Sequence, residues 1–138
     1  MKKIIIKGKK ILGGFTTGKA LVSHEPISWV GEIDETNGKV RSKGHELEGM
    51  SVAGKILVYP ESKGSSVAGV ILKTLAYLKC APKAIVMGKQ PDHTTIQGII
   101  VGDIPTVYLP GKNPQDLIET GDFIEVNATA GVITIKKK

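Results

Sequence analysis

Short blocks of apolar residues, separated by polar residues and glycines, run through the first half of the chain, a pattern typical of β-strands. These blocks predict strands at residues 3–6, 11–12, 18–23, 27–33 and 39–41. The last two blocks flank the segment Glu35-Thr-Asn-Gly38. Because Asn-Gly accepts the positive φ angles of a tight turn, this segment predicts a β-hairpin.

The second half alternates between apolar runs and a helical pattern. Mostly apolar residues recur there at helical spacing, namely Val67, Val70, Ile71, Thr74, Leu75 and Leu78. Such a stripe predicts an amphipathic helix over about residues 66–79. The other predicted elements are strands at 55–59, 84–87 and 106–109, short helices near 94–101 and after Asn113, and a final hairpin of 122–127 and 132–135.

Two successive strand–helix–strand steps imply parallel strands joined by right-handed crossovers, whereas the final hairpin adds antiparallel strands. The sequence therefore predicts an α/β protein, a single β/β/α domain over residues 1–138 with a mixed sheet and flanking helices. A chain of this length, with 41% apolar residues, can bury its core without disulfides or metal.

The amino terminus and the cysteine count narrow the cellular setting. Two lysines and only three apolar residues in a row precede Lys7, too few for the centre of a signal peptide. No apolar run approaches the ~20 residues of a membrane span, so we expect a cytoplasmic protein without membrane contact. The single Cys80 excludes an internal disulfide and, within this chain, an iron–sulfur or zinc–thiolate site. We expect Cys80 to be a small buried residue.

The net charge of +6 raises the question of nucleic-acid binding. The lysines are scattered, the chain has one arginine, and aromatic residues make up 4% of it, too few for base-stacking platforms. A solubilising surface is therefore favoured over nucleic-acid binding. The excess positive charge also helps to attract an anionic substrate.

The most informative segment for chemistry is the loop from Pro60 to Ser66, which lies between a predicted strand and the predicted helix. Gly64-Ser65-Ser66 therefore sits at a helix amino terminus, where free N–H groups and the helix dipole favour negative charge. A serine oxygen there can face an anion or carry negative charge. Ser65 or Ser66 can also simply cap the helix, and the two interpretations are compatible.

Other motifs carry less. The segment Gly13–Ala20 approaches the phosphate-binding loop of nucleotide hydrolases, but Ala20 replaces the magnesium-binding hydroxyl and a strand-like run follows. The dispersed His24, His45 and His93 lack metal-site or triad spacing and are predicted to be surface or turn residues. Glu32 and Asp34 share one face of a predicted strand, where a solvated face is favoured over an acid–base pair.

Four blocks in order resemble the small, swivel-domain subunit of aconitase X proteins: Pro26–Asp34, His45–Leu57, Pro60–Ser66 and Ala81–Ile85. The resemblance implies a swivelling β/β/α fold. It also implies a hydro-lyase of an archaeal modified mevalonate pathway, which removes water from mevalonate 5-phosphate to give trans-anhydromevalonate 5-phosphate. The expected partner is a large subunit in a heterodimer, whose cysteines hold a 4Fe-4S cluster, while this chain binds no metal.

The resemblance also implies roles for the loop. Ser65 is expected to be the general base, stabilised by amides near Ser66 and Val67. Lys63 is expected to support the alkoxide or to bind a substrate carboxylate or phosphate. Gly64 and Ser66 complete the expected substrate-binding set. Ser66 is expected to cap the helix, and it is the alternative candidate for the base.

One departure from the wider superfamily concerns the substrate. Val67-Ala68 stand where ordinary aconitases have Arg and Glu after Gly-Ser-Ser, which argues against citrate-type substrates. A hydroxyproline-type dehydratase subunit and a non-catalytic swivel module remain alternatives. Trp29 and Met50 are either partner contacts or domain core.

Overall fold

The structure is a computed structural model that describes residues 2–63 and 67–137. Within these residues the strands are β1 (Lys2–Lys7), β2 (Lys9–Leu12), β3 (Phe15–Val22), β4 (Ile56–Tyr59), β5 (Ala84–Met87), β6 (Thr106–Tyr108), β7 (Phe123–Asn127) and β8 (Val132–Lys137). The helices are α1 (Trp29–Glu32), α2 (Ala68–Tyr77), α3 (His93–Gly102) and α4 (Pro114–Leu117).

The strands form one mixed sheet in the order β1-β8-β7-β3-β4-β5-β6-β2. Strands β3, β4, β5 and β6 are parallel, and Leu21, Leu57 and Ile85 lie side by side in register. Strand β3 changes partner along its length, because residues 15–19 pair antiparallel with β7 and residues 20–22 pair parallel with β4. The four parallel strands therefore share one carboxyl edge.

Both faces of the central strands are buried, as the continuous apolar runs of parallel strands require. Leu57 and Tyr59 point into a core shared with α2 and α3, whereas Ile56 and Val58 point into a second core. That second core also contains Ile124 and residues of β1 and β8, so the sheet curls around it. The fold is the predicted mixed α/β arrangement with flanking helices.

Most predicted elements are confirmed, with ends that shift by a few residues. The strand predicted over residues 27–33 is wrong. Single bridges pair Ile27 with Ser62 and Ile33 with Val40, and between them lies the helical turn α1. Gly31 adopts a φ of 86°, which turns the chain back and sends the Trp29 side chain into the core. The hairpin turn before Lys39 is present, but its flanks are isolated bridges rather than strands.

No helix within residues 2–63 and 67–137 has the length and apolar character that crossing a bilayer requires.

Candidate functional site

The carboxyl edge of β3 to β6 is where the loops converge. In parallel α/β sheets, ligands bind in the crevice outside this edge. The loop that begins at Pro60 leaves β4, which lies inside the parallel set, between β3 and β5. The described start of that loop, residues 60–63, therefore lies at the edge where this class of sheet builds its binding sites.

Three of the predicted site residues, Gly64, Ser65 and Ser66, lie outside the described residues, so their roles remain predictions. The chain on both sides of them is described. Helix α2 begins at Ala68, and Val67 occupies the N-cap position, one residue after the predicted serine cap.

The backbone that enters the loop is held by a short parallel ladder. The Lys63 N–H donates to the Ile27 carbonyl at 2.9 Å, and the Ile27 N–H donates to the Glu61 carbonyl at 3.2 Å. These bonds place Ser62 beside Ile27 in the isolated bridge. The loop thus leaves the sheet from a fixed position.

Lys63 has a charged partner that the sequence analysis did not anticipate. Its Nζ lies 3.3 Å from Oε2 of Glu32, whose side chain is only 15% exposed. Oε1 of Glu32 accepts the Ser28 N–H at 2.8 Å. Burial pushes the pKa of Glu32 upward, but hydrogen bonds from Ser28, Ser42 and Lys63 outweigh it, so the pKa lies below its usual value.

Glu32 is therefore ionised at neutral pH and compensates part of the Lys63 charge. The Lys63 side chain is still 52% exposed, so its ammonium group remains open to a second anion. The interpretation of Glu32 and Asp34 as neighbours on one strand face is wrong, because no strand forms there. Oδ1 of Asp34 instead accepts hydrogen bonds from Thr36 within the following turn.

A polar cavity of about 280 Å³ adjoins Lys63. Its ionisable lining side chains are Glu25, Glu32, Lys43, His45 and Lys63. Its volume is at the lower end of small-molecule sites, and its lining suits a small charged ligand better than an apolar one.

The sequence predicts a surface or turn position for His45. It lies at the end of a turn, where its N–H donates to the Ser42 carbonyl at 3.2 Å, but its side chain is buried, with 4% exposed. Its Nδ1 accepts the Leu47 N–H at 3.0 Å, so Nε2 carries the proton of the neutral ring and donates to the Pro26 carbonyl at 3.3 Å. His24 and His93 are exposed, as predicted. The Glu46 carboxylate, 2.8 Å from His24 Nδ1, raises the pKa of His24.

Two more lysines lie at the same edge. Lys89 and Lys112 line a cavity of about 200 Å³ with Pro60 and Asn113. Lys89 Nζ is 3.4 Å from Oε2 of Glu61, an exposed ion pair. Lys63 and Lys89 are each paired with a carboxylate, Glu32 and Glu61, but all three lysines place exposed side chains at this edge, where an anion can meet them.

The other residues considered in the sequence occupy the following positions in the fold. Ala20 lies within β3, so no helix follows the Gly13–Ala20 segment and the nucleotide-loop interpretation stays excluded. Trp29 is fully buried core, whereas Met50 is 43% exposed. Cys80 is partly buried against the first core. Among the described residues, no group of three or more His, Cys, Asp or Glu side chains is placed to hold a metal ion.

Comparison with known proteins adds identity to this geometry. The family model described as the aconitase X swivel domain matches residues 5–135. A phosphomevalonate dehydratase small subunit of Methanocella arvoryzae is 39% identical over 130 residues, which cover 94% of this chain and 98% of that protein. The protein of the same name from Thermococcus kodakarensis is 38% identical, with 94% and 95% covered.

Solved structures agree with the sequence relatives. The crystal structure of Thermococcus kodakaraensis aconitase X in its holo form superposes with a TM-score of 0.90 at 36% identity, covering 97% of this chain and 99% of that chain. A solution NMR structure of a UPF0107 protein gives a TM-score of 0.89 at 35% identity, covering 97% of this chain and 100% of that one. Both share the curled mixed sheet described above.

Proposed function

Because the chain belongs to the aconitase X swivel-domain family, we propose that it is the small subunit of a phosphomevalonate dehydratase. The enzyme would remove water from mevalonate 5-phosphate and release trans-anhydromevalonate 5-phosphate in the cytoplasm. The observation that carries this proposal is the near full-length match, in both directions, to archaeal small subunits of that name. The lysines at the carboxyl edge, Lys63, Lys89 and Lys112, offer ammonium groups to a substrate that carries both a carboxylate and a phosphate.

Ser65 is proposed as the general base. Its oxygen, as the alkoxide, takes a proton from the carbon beside the one that bears the leaving hydroxyl. The C–H electrons form the new double bond, and the C–O electrons leave with the hydroxyl as hydroxide. The hydroxide takes up one proton from solvent and becomes water, which balances the proton that Ser65 gave to solvent when it formed the alkoxide. Helix α2 begins at Ala68, directly after the loop. The N–H groups of a helix first turn stabilise negative charge, so they lower the cost of the alkoxide.

Lys63 is proposed to hold an anionic group of the substrate. Its side chain is half exposed, and its ammonium group is paired with Glu32. The Glu32 carboxylate limits how strongly Lys63 attracts an anion, but it also holds the Lys63 side chain at the 280 Å³ cavity that both residues line. Gly64 and Ser66 complete the proposed substrate-binding set.

The proposed partner is a large subunit, paired with this chain in a heterodimer, whose cysteines hold a 4Fe-4S cluster. The chain itself offers one cysteine, Cys80, and its described residues offer no ligand group for a cluster. When bound in the partner, an iron with an open coordination position acts as a Lewis acid toward the leaving hydroxyl.

The test is an assay of the complex, produced with the large subunit of the same organism. Mevalonate 5-phosphate and hydroxyproline are offered separately to one preparation. Turnover of mevalonate 5-phosphate alone supports the proposal, and turnover of hydroxyproline alone overturns the substrate assignment. A complex that turns over neither compound, or a chain that binds no large subunit, overturns the enzymatic proposal.

The base is tested with serine variants in that complex. Loss of a general base lowers kcat by about 10²- to 10⁴-fold, which is the result expected for Ser65→Ala. Ser66→Ala is expected to lose less. A larger loss for Ser66→Ala would move the base to Ser66, and full turnover in both variants would remove it from this loop.

A further inference from the structure

Three hydrogen-bonded side chains connect the core to the loop that follows β4. Trp29 Nε1 donates to the Tyr59 hydroxyl at 3.2 Å, and that hydroxyl lies 2.8 Å from Oγ of Ser62. Trp29 and Tyr59 are both fully buried, and their rings meet edge to face with centroids 6.2 Å apart. Ser62 is partly exposed and lies three residues before Ser65.

The direction of this relay follows from its first member. An indole N–H only donates, so the Tyr59 oxygen accepts from Trp29. The Tyr59 proton is then directed to Ser62 Oγ, which is its acceptor among the described residues. A buried hydroxyl proton left without an acceptor is costly, and this bond avoids that cost. Burial raises the pKa of Tyr59 to about 12, so the hydroxyl keeps its proton.

With Tyr59 as the donor, Ser62 is the last member of the relay and lies at the start of the loop. Its oxygen accepts from Tyr59, so its own proton points elsewhere and has no acceptor within residues 2–63 and 67–137. The backbone on both sides of Ser62 is already held by the ladder to Ile27. The Ser62 side chain is thus held by its hydrogen bond to Tyr59, and the main chain around it is held by the hydrogen bonds to Ile27.

We infer that Tyr59 and Ser62 are positioning residues for dehydration, which fix residues 60–63, the described start of the loop that leads to Ser65, with Trp29 orienting the Tyr59 hydroxyl. The inference rests on the proposed function, because it needs Ser65 to act as the base. A base must hold its position within a fraction of an ångström, and a displacement of about 1 Å can cost on the order of 10² in rate.

The test uses the complex with its large subunit and mevalonate 5-phosphate as substrate. Ser62→Ala and Tyr59→Phe each remove one hydroxyl. We expect kcat to fall by about 10- to 100-fold in both variants while KM changes by less than about threefold, because position rather than substrate affinity is lost. Ser62→Thr keeps the hydroxyl and is expected to recover most of kcat.

Ser51→Ala is the matched control. The Ser51 hydroxyl is likewise hydrogen-bonded, but to backbone groups: it donates to the Asn37 carbonyl at 3.1 Å and accepts the Ala53 N–H at 3.1 Å. It lies before β4, at the other end of that strand from Ser62. We expect Ser51→Ala to lower the unfolding temperature without lowering kcat, which separates loss of stability from loss of positioning.

The double variant Tyr59→Phe with Ser62→Ala is expected to lose no more than either single variant, because both break one relay. Losses that multiply would overturn the relay. A kcat equal to that of Ser51→Ala, or a change confined to KM, would overturn the positioning role even if Ser65→Ala abolishes turnover. Full turnover in Ser65→Ala would instead overturn the base assignment itself.

Discussion

Gly69 and Gly98 bring the backbones of α2 and α3 into contact, so closely that a Cβ added to Gly98 would lie 2.9 Å from the Gly69 Cα. The same added atom would lie 2.7 Å from the Leu72 Cβ. A Cβ on Gly69 would lie 2.7 Å from the Thr94 carbonyl oxygen, which is backbone and cannot move aside alone. The crossing fixes the first turn of α2, which follows the proposed base loop.

Gly98→Ala and Gly69→Ala are therefore expected to push the two helices apart. Overpacking of this kind costs about 1–3 kcal/mol, and we expect the free energy of unfolding of the full chain in urea to fall by that amount. In the complex, kcat is expected to fall as well, because α2 carries the end of the loop. Lys73→Ala, at an exposed position of α2, is the control and is expected to change neither quantity.

The ion pair of Lys63 with Glu32 predicts opposite effects for its two members. Glu32→Gln removes a negative charge beside the ammonium group, and we expect KM for an anionic substrate to fall a few-fold. Lys63→Gln removes the positive charge, and we expect KM to rise. Both effects are expected to shrink as salt is added, because added ions screen partly exposed charges. Changes of KM in the same direction for both variants would contradict this account.

The parts of the fold that were predictable are those encoded by local pattern. A few neighbouring residues are enough to predict several elements: the apolar runs at β4 and β5, the stripe of α2 and the turn before Lys39. They place the loop after β4 at the carboxyl edge without any structure. The proposal that Ser65 is the base comes from family resemblance, because spacing alone leaves a helix cap and a reactive serine equally open.

The parts that were missed depend on contacts between distant residues. Glu32 and Lys63 are 31 positions apart, and this spacing does not predict that they form an ion pair. The turn α1 replaces a strand because Gly31 reverses the chain and Trp29 is drawn into the core to meet Tyr59. His45 is buried because the Pro26 carbonyl, 19 residues away, supplies the partner for its Nε2.

Because His45 is buried and hydrogen-bonded, its replacement is expected to lower the free energy of unfolding more than replacement of an exposed histidine. His45→Ala removes the acceptor of the Leu47 N–H and the donor to the Pro26 carbonyl. Each buried polar group left unpaired costs about 1–3 kcal/mol, so we expect a loss of at least that size in the free energy of unfolding. His24→Ala, at an exposed position, is the control and is expected to cost far less. Equal losses in urea unfolding would show that the bonds of His45 add nothing to stability.

Asp92, the N-cap residue of α3, predicts a pH dependence of stability. Its Oδ1 accepts the Thr95 hydroxyl at 2.7 Å, and its Oδ2 accepts the Thr94 hydroxyl at 2.7 Å. Burial pushes the pKa of Asp92 upward, but these hydrogen bonds and others from the backbone outweigh it, so the pKa lies below its usual value. The ionised form is therefore the one that stabilises the folded state.

The sign of the effect follows. The contribution of the Asp92 charge is complete above the unfolded-state pKa of about 4 and is lost as pH falls through the lower folded-state pKa. Asp92→Asn keeps a cap oxygen but has no charge to lose. We expect the unfolding free energies of the parent chain and Asp92→Asn to differ most near pH 7 and to converge below about pH 4. Urea unfolding at several pH values measures this difference, and a difference that grew toward acid would reverse the assigned direction.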